Sequence, residues 1–136
     1  MKTKSIFLII SIFLQCFLFG ETYDAEKYVK IASITALTGE YAKEHETGIN
    51  SLKLAVKIAN EKGGVLGKKI WLEFYDNQST SIGSKLAAER AVKDGIVAVI
   101  GCTFSSHSLA AAPILQEAKI PMISDVSTNP EVTKVG

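Results

Sequence analysis

The run Cys102-Thr103-Phe104-Ser105-Ser106 places two small hydroxyls side by side, immediately before an apolar helical pattern. Such a helix N-terminus offers free N–H groups and a partial positive charge, so it can hold a carboxylate without a buried arginine. A serine there can add its own O–H to the same carboxylate. Ser127-Thr128, ahead of Asn129-Pro130-Glu131, supplies a second hydroxyl pair on a later segment. Each pair also has an architectural use. Serine is a favoured helix cap in its own right, and Ser-Thr before Asn-Pro is ordinary turn chemistry. The residues alone leave Ser105, Ser106, Ser127 and Thr128 between these roles.

Other chemistries fit less well. His45 and His107 lack the carboxylate or cysteine spacing of a metal site. Ser105 is not in a G-x-S-x-G elbow, and neither histidine has an evident triad role. Cys102 is a lone thiol at a strand end, a setting that usually means inert packing. Gly63-Gly64-Val65-Leu66-Gly67 follows a helix and precedes a strand, the reverse of the order a phosphate cradle needs. It reads as a helix stop and turn. No cofactor is implied.

These residues need elements to position them. Val29, Ile31 and Ile34 make a first strand ending at Thr38-Gly39. Ile49, Leu52, Ala55, Val56 and Ala59 then recur at helical spacing, with Gly63-Gly64 as the stop. Lys69 to Tyr75 alternates as a second strand. Thr80 or Ser81 can cap a second helix with Leu86, Ala87, Ala91 and Val92 inward, ending at Gly95. Ile96 to Ile100 is a continuous apolar strand, the mark of burial on both faces. Ser105 or Ser106 caps a third helix with Leu109, Ala112, Leu115 and Ala118 inward, and Pro113 within it implies a kink or a late start. Ile120 to Ile123 is a fourth strand, and Thr128 to Val135 begins another helical turn. This alternation predicts an α/β fold: a doubly wound parallel sheet with helices on both faces. Ligands of such sheets bind beyond the carboxyl ends of the strands. The segments at Thr38 to His45, Thr103 to Ser106 and Asp125 to Thr128 qualify.

The first twenty residues are of another kind. Lys2 and Lys4 precede an almost unbroken apolar run from Ser5 to Phe19, closed by Gly20. A basic start, a run of that length and a small residue before a polar one read as an export signal peptide over residues 1–20. The run is shorter than the ~20 apolar residues that span a bilayer. Cys16 admits a lipid-anchor reading, but Gln15 is large for a lipobox and Phe17-Leu18-Phe19 continues the apolar run, which favours cleavage after Gly20. The chain without that segment has 13 basic and 14 acidic residues, a net charge of −1, and Cys102 as its one thiol. That balance excludes the clustered basic surface of a nucleic-acid binder. Residues 21–27 form a polar lead-in, and 28–136 a single domain.

With these elements placed, the sequence resembles a known family over essentially all of residues 28–136. The run Ile31 to Gly39 (IASITALTG), then Gly48, Ala59-Asn60, Gly63-Gly64 and Gly67, is similar to the opening of the leucine/isoleucine/valine-binding proteins. Asp94-Gly95, Val99-Ile100-Gly101, Ser105-Ser106, Pro113-Ile114, Ile120-Pro121 and Ser127 to Pro130 continue it in register. Those proteins are extracytoplasmic solute-binding receptors of ABC importers with the type I periplasmic-binding fold. The resemblance implies a periplasmic or otherwise extracytoplasmic location, an amino acid or related small solute as ligand, and a membrane ABC permease as partner. It implies that Ser105 bonds the solute's carboxylate. Val126 and Thr128 would offer backbone or hydroxyl groups to its carboxylate and ammonium, and the loop from Tyr41 to Glu44 would line the pocket near its side chain. Glu40 stands where proline is common in the family, and Glu44 where an uncharged or aromatic residue is usual. An inward Glu44 implies a polar or cationic solute in place of a branched-chain one.

Family members run to two or three times this length, so the resemblance implies an N-terminal lobe whose partner lobe is missing. Weak solute binding or none, and exposed apolar surface, are then expected. A sensory receptor domain of the same fold is the alternative reading; a small exported enzyme using Ser105 or Cys102 is a third, with no evident base.

Overall fold

In the computed structural model, residues 23–136 are described. The signal-peptide and Cys16 readings therefore lie outside the described residues. The chain runs β1 (Tyr28–Thr35), α1 (Ala42–Glu61), β2 (Lys69–Asp76), α2 (Ser81–Lys93), β3 (Ala98–Ile100), α3 (Ser105–Glu117) and β4 (Met122–Ile123). A 3-10 turn, Pro130–Lys134, follows. All strand pairs are parallel, and the order across the sheet is β2-β1-β3-β4. Right-handed crossovers then put α1 on one face and α2 and α3 on the other, the doubly wound arrangement predicted. The order reverses between β1 and β3, which makes the gap between their carboxyl ends the topological switch point.

The core lies on the α2–α3 face. Ala32 and Ile34 of β1, Tyr75 of β2 and Val99 of β3 meet Ala87, Ala88 and Ala91 of α2 and Ala111 and Leu115 of α3. The inward row of α2 is rotated from expectation: Leu86 is 58% exposed, while Ser84 and Ala88 are fully buried. Small residues on both helices (Gly83, Ser84, Ala87, Ala88, Ala91 facing Ser108, Ala111, Ala112) let the two helices lie close together. A leucine at that interface would force the helices apart.

On the other face, α1 packs mainly on β2. Ile49, Leu52, Val56 and Ala59 are half-buried as expected, but Ala55 is exposed. It borders a groove of about 340 Å³ that separates α1 from β3. The 3-10 turn accounts for the expected final helical turn, with Asn129 Oδ1 accepting from the Glu131 N–H at 2.9 Å.

All three helices end alike. The residue after the C-cap has positive φ (Gly63 at 102°, Gly95 at 72°, Lys119 at 58°). The next N–H then returns to the carbonyl five residues back: Gly64 to Ala59, Ile96 to Ala91, and Ile120 to Leu115. This is the Schellman stop. Glycine signals the first two in sequence; Lys119 carries no such signal. Gly64 is also fixed by space, since a Cβ there would lie 2.0 Å from the Lys68 carbonyl oxygen. The glycine-rich run is thus the helix stop and turn expected of it.

The lead-in is stitched to the sheet. Lys68 donates its Nζ to the Ala25 carbonyl at 2.8 Å and the Lys69 N–H donates to Lys27 O at 2.9 Å. Tyr23 and Tyr28 both meet the Trp71 ring edge-on.

Candidate functional site

The loop after β1 is held in shape from β2. Asp76, the last residue of β2, accepts the Leu37, Thr38 and Gln78 N–H groups on Oδ1 at 2.9, 3.1 and 2.8 Å. Its Oδ2 accepts the Thr38 hydroxyl at 2.6 Å. Burial pushes this carboxyl up, but the donors around it prevail and hold it below the usual 3.8. Ser79 adds a second tie, donating to Thr38 O and accepting from the Tyr41 N–H, each at 3.0 Å. Gly39 fits between these groups with φ of 89°, where a Cβ would lie 2.7 Å from Gln78 O. In the sequence Asp76 reads only as a strand end. Two of its partners, Leu37 and Thr38, lie 39 and 38 residues away along the chain, too far for local spacing to show.

The loops after β3 and β4 are tied by hydroxyls. The Ser108, Ser124 and Ser127 hydroxyls all reach the Cys102 carbonyl, at 2.9, 2.9 and 3.1 Å. Ser127 also pairs with Ser108 at 2.7 Å. Its hydroxyl is therefore engaged inside the fold. Ser105 is the residue that faces both loops. Its Oγ accepts the Thr128 and Asn129 N–H groups at 3.2 and 3.1 Å, which leaves its O–H free to donate outward.

Ser105 is not the cap that the sequence suggests. Phe104 takes the N-cap position of α3, in extended conformation and without a side-chain cap bond. The Phe104 carbonyl accepts the His107 and Ser108 N–H groups. Among the described residues, the N–H groups of Ser105 and Ser106 have no partner, as the first turn of a helix leaves them. The helix also runs unbroken from Ser105 past the exposed Pro113, so it has no late start. In α2, by contrast, Thr80 is a true cap, its Oγ1 accepting the Gly83 N–H at 2.8 Å.

The β1 loop meets α3 through Phe104. The Tyr41 ring lies 4.7 Å from it, centroid to centroid, and the His45 and His107 rings 5.9 and 5.3 Å. Tyr41 and Ser105 are thereby brought to one place, the mouth of the switch point. Glu44, in the first turn of α1, is exposed, as are Ser106, Val126 and Thr128. The arrangement is a shallow cradle: an outward hydroxyl, two free helix N–H groups and an aromatic wall. It suits a carboxylate.

The remaining chemistry is quiet. Cys102 is fully buried and its thiol is pushed up to about 12 by burial, so it makes a poor nucleophile. No cluster of three metal-ligating side chains occurs among the described residues.

An open parallel sheet with polar groups at its switch point makes this an α/β lobe of the doubly wound class. The chain belongs to the periplasmic binding protein family, whose model matches residues 28–135. It is 35% identical over 108 residues to the leucine-specific-binding protein of Salmonella typhimurium, covering 79% of this chain and 29% of that protein. Among solved structures, the leucine binding protein of Thermotoga maritima matches at 39% identity with a TM-score of 0.71, over 78% of this chain and 30% of that one. The branched-chain amino acid transporter substrate binding protein of Streptococcus pneumoniae, solved with isoleucine, matches at 28% identity with a TM-score of 0.75, over 79% and 31%. The chain thus spans under a third of the length of these relatives. The family resemblance and the fold predicted from the sequence both stand, and the family is one of binding proteins rather than enzymes.

Proposed function

We propose that this chain forms the N-terminal solute-binding lobe of an extracytoplasmic receptor that delivers an amino acid, or a closely related small solute, to an ABC permease. The observation that carries the reading is Ser105. Its Oγ is fixed by two N–H donors from the β4 loop, which leaves its O–H available beside the free N–H groups of Ser105 and Ser106 at the start of α3. A carboxylate placed there gains charge-assisted bonds and the positive end of α3. Thr128 and Val126 lie on the loop that Ser105 anchors, and would offer backbone and hydroxyl groups to the same solute. Ser127 acts from behind by holding that loop in place. Tyr41 walls the pocket through Phe104, and Glu44 is exposed in the first turn of α1. The leucine and isoleucine relatives support the amino-acid class.

Equilibrium dialysis against radiolabelled L-leucine, L-isoleucine, L-glutamine and L-arginine tests this reading. At least one should be retained, and Ser105→Ala should weaken its retention about tenfold, the loss of one charge-assisted bond. Retention of none of the four counts against these amino acids as the solute, and retention unchanged by Ser105→Ala overturns the site assignment.

A further inference from the structure

Phe104 is gripped by two histidines from different helices. His45, in the first turn of α1, and His107, in the first turn of α3, flank its ring, and both are more than nine-tenths buried. His45 Nδ1 accepts the Ala36 N–H at 3.2 Å and lies 2.8 Å from the Thr35 hydroxyl. A backbone N–H only donates, so Nδ1 is the acceptor and the ring N–H lies on Nε2. That Nε2 is buried without a hydrogen-bond partner. His107 Nδ1 faces Asn77 Nδ2 at 3.4 Å, again a donor that calls for a neutral ring.

We propose that His45 and His107 are positioning residues for the cradle, and that together they hold Phe104 and hence Ser105 in place only while the His107 ring is neutral. Acidification would then loosen the cradle and release the solute. The inference rests on the solute-binding reading above and names the regulation of that same site. A proton on His107 Nδ1 would oppose the Asn77 amide. That position has no anion to take it among the described residues. From β1 the facing group is the Thr35 hydroxyl. The β1 loop brings the Tyr41 ring against Phe104, and the β2 loop contributes the Asn77 amide. The His45 ring of α1 and the His107 ring of α3 both contact Phe104. Glu44 and Glu46 beside His45 are exposed, and the Asp76 carboxylate is already occupied by four donors. Asp125 stands near Cys102. No carboxylate pairs with either ring among the described residues. Burial first, and the His45 ring second, hold His107 below the usual 6.5. A depressed base of this kind stabilises the clamp above its unfolded value and loses that contribution as pH falls through the folded one.

The test is a pH titration between about pH 7.5 and about pH 5 on the protein and on His107→Asn, which keeps a neutral polar group near the Nδ1 position. Two readouts are taken: the backbone amide signals of Phe104, Ser105 and Ser106, and the dissociation constant for L-leucine. We expect the three amides to shift together with the His107 ring signals. The leucine dissociation constant should rise as the pH falls. His107→Asn should flatten both changes. Amides that stay fixed while the rings titrate overturn the clamp, whether or not leucine binds. Leucine binding that is strong and independent of pH also overturns it, yet leaves the solute reading standing. Absence of leucine binding at pH 7.5 counts against leucine as the solute, and the amide titration then decides the clamp alone. If His107→Asn fails to fold, the amide and leucine titrations of the unaltered protein still decide between these outcomes.

Discussion

Replacing Asp76 with asparagine should cost about 2 kcal/mol of folding stability, because one carboxylate organises the whole β1 loop. It accepts three N–H groups and one hydroxyl between 2.6 and 3.1 Å. A hydrogen bond to a charged group contributes about 1.5–3 kcal/mol and a neutral one about 1 kcal/mol. The asparagine can keep its oxygen towards the three N–H groups, but loses the charge and presents an NH₂ where Oδ2 met Thr38. The site is only half-buried, so solvent discounts the gross difference, leaving roughly 2 kcal/mol. For a domain of this size that lowers Tm by roughly 8 °C. The carboxyl is held below its usual 3.8 in the folded chain. The unfolded chain therefore binds the proton first, and this contribution, present above 3.8, is lost as pH falls below it. Urea unfolding of both proteins at neutral pH and down to about pH 3 measures each part. The Asp76→Asn protein should be less stable at neutral pH, and the gap should narrow on acidification. A gap under ~0.5 kcal/mol at neutral pH, or one that grows with acid, would refute the argument.

Other predictions concern the frame. Lys119 carries the positive φ that glycine takes in the other two helix stops, so Lys119→Gly should raise stability by ~1 kcal/mol in the same urea assay. Thr80→Ala removes the acceptor for the Gly83 N–H and should lower it by ~1 kcal/mol. Cys102, fully buried with its thiol pushed up to about 12 by that burial, should resist iodoacetamide at about pH 8 in the folded protein. It should react readily in urea, as intact mass would show.

Much of the fold is legible in the sequence because it is written in local patterns. Alternating apolar residues mark β1 and β2, helical spacing marks α1, and Gly63 and Gly95 mark two helix ends. What the patterns miss, they miss for reasons of space. Leu86 fits the apolar period of α2, yet the close approach of α3 selects the smaller Ser84, Ala87 and Ala88 for the inside. Ser105 has the type and position of a cap, but its neighbours in space on the β4 loop take its oxygen. At the site, Ser105 and Tyr41 are readable as residues near strand ends. The groups that hold them are not, because Asp76, His45, Phe104 and His107 act across tens of residues. Burial of a histidine or saturation of a carboxylate leaves no trace in spacing.

The central claim is that the N-terminus of α3, with Ser105, receives the carboxylate of a small solute. Amide chemical-shift mapping with L-leucine, and then with leucinol, which lacks the carboxylate, tests it most directly. Leucine should shift the Ser105, Ser106 and Thr128 amides, and leucinol should leave the Ser105 and Ser106 amides in place. Equal shifts from both compounds, or leucine shifts confined to residues away from this mouth, would contradict the assignment.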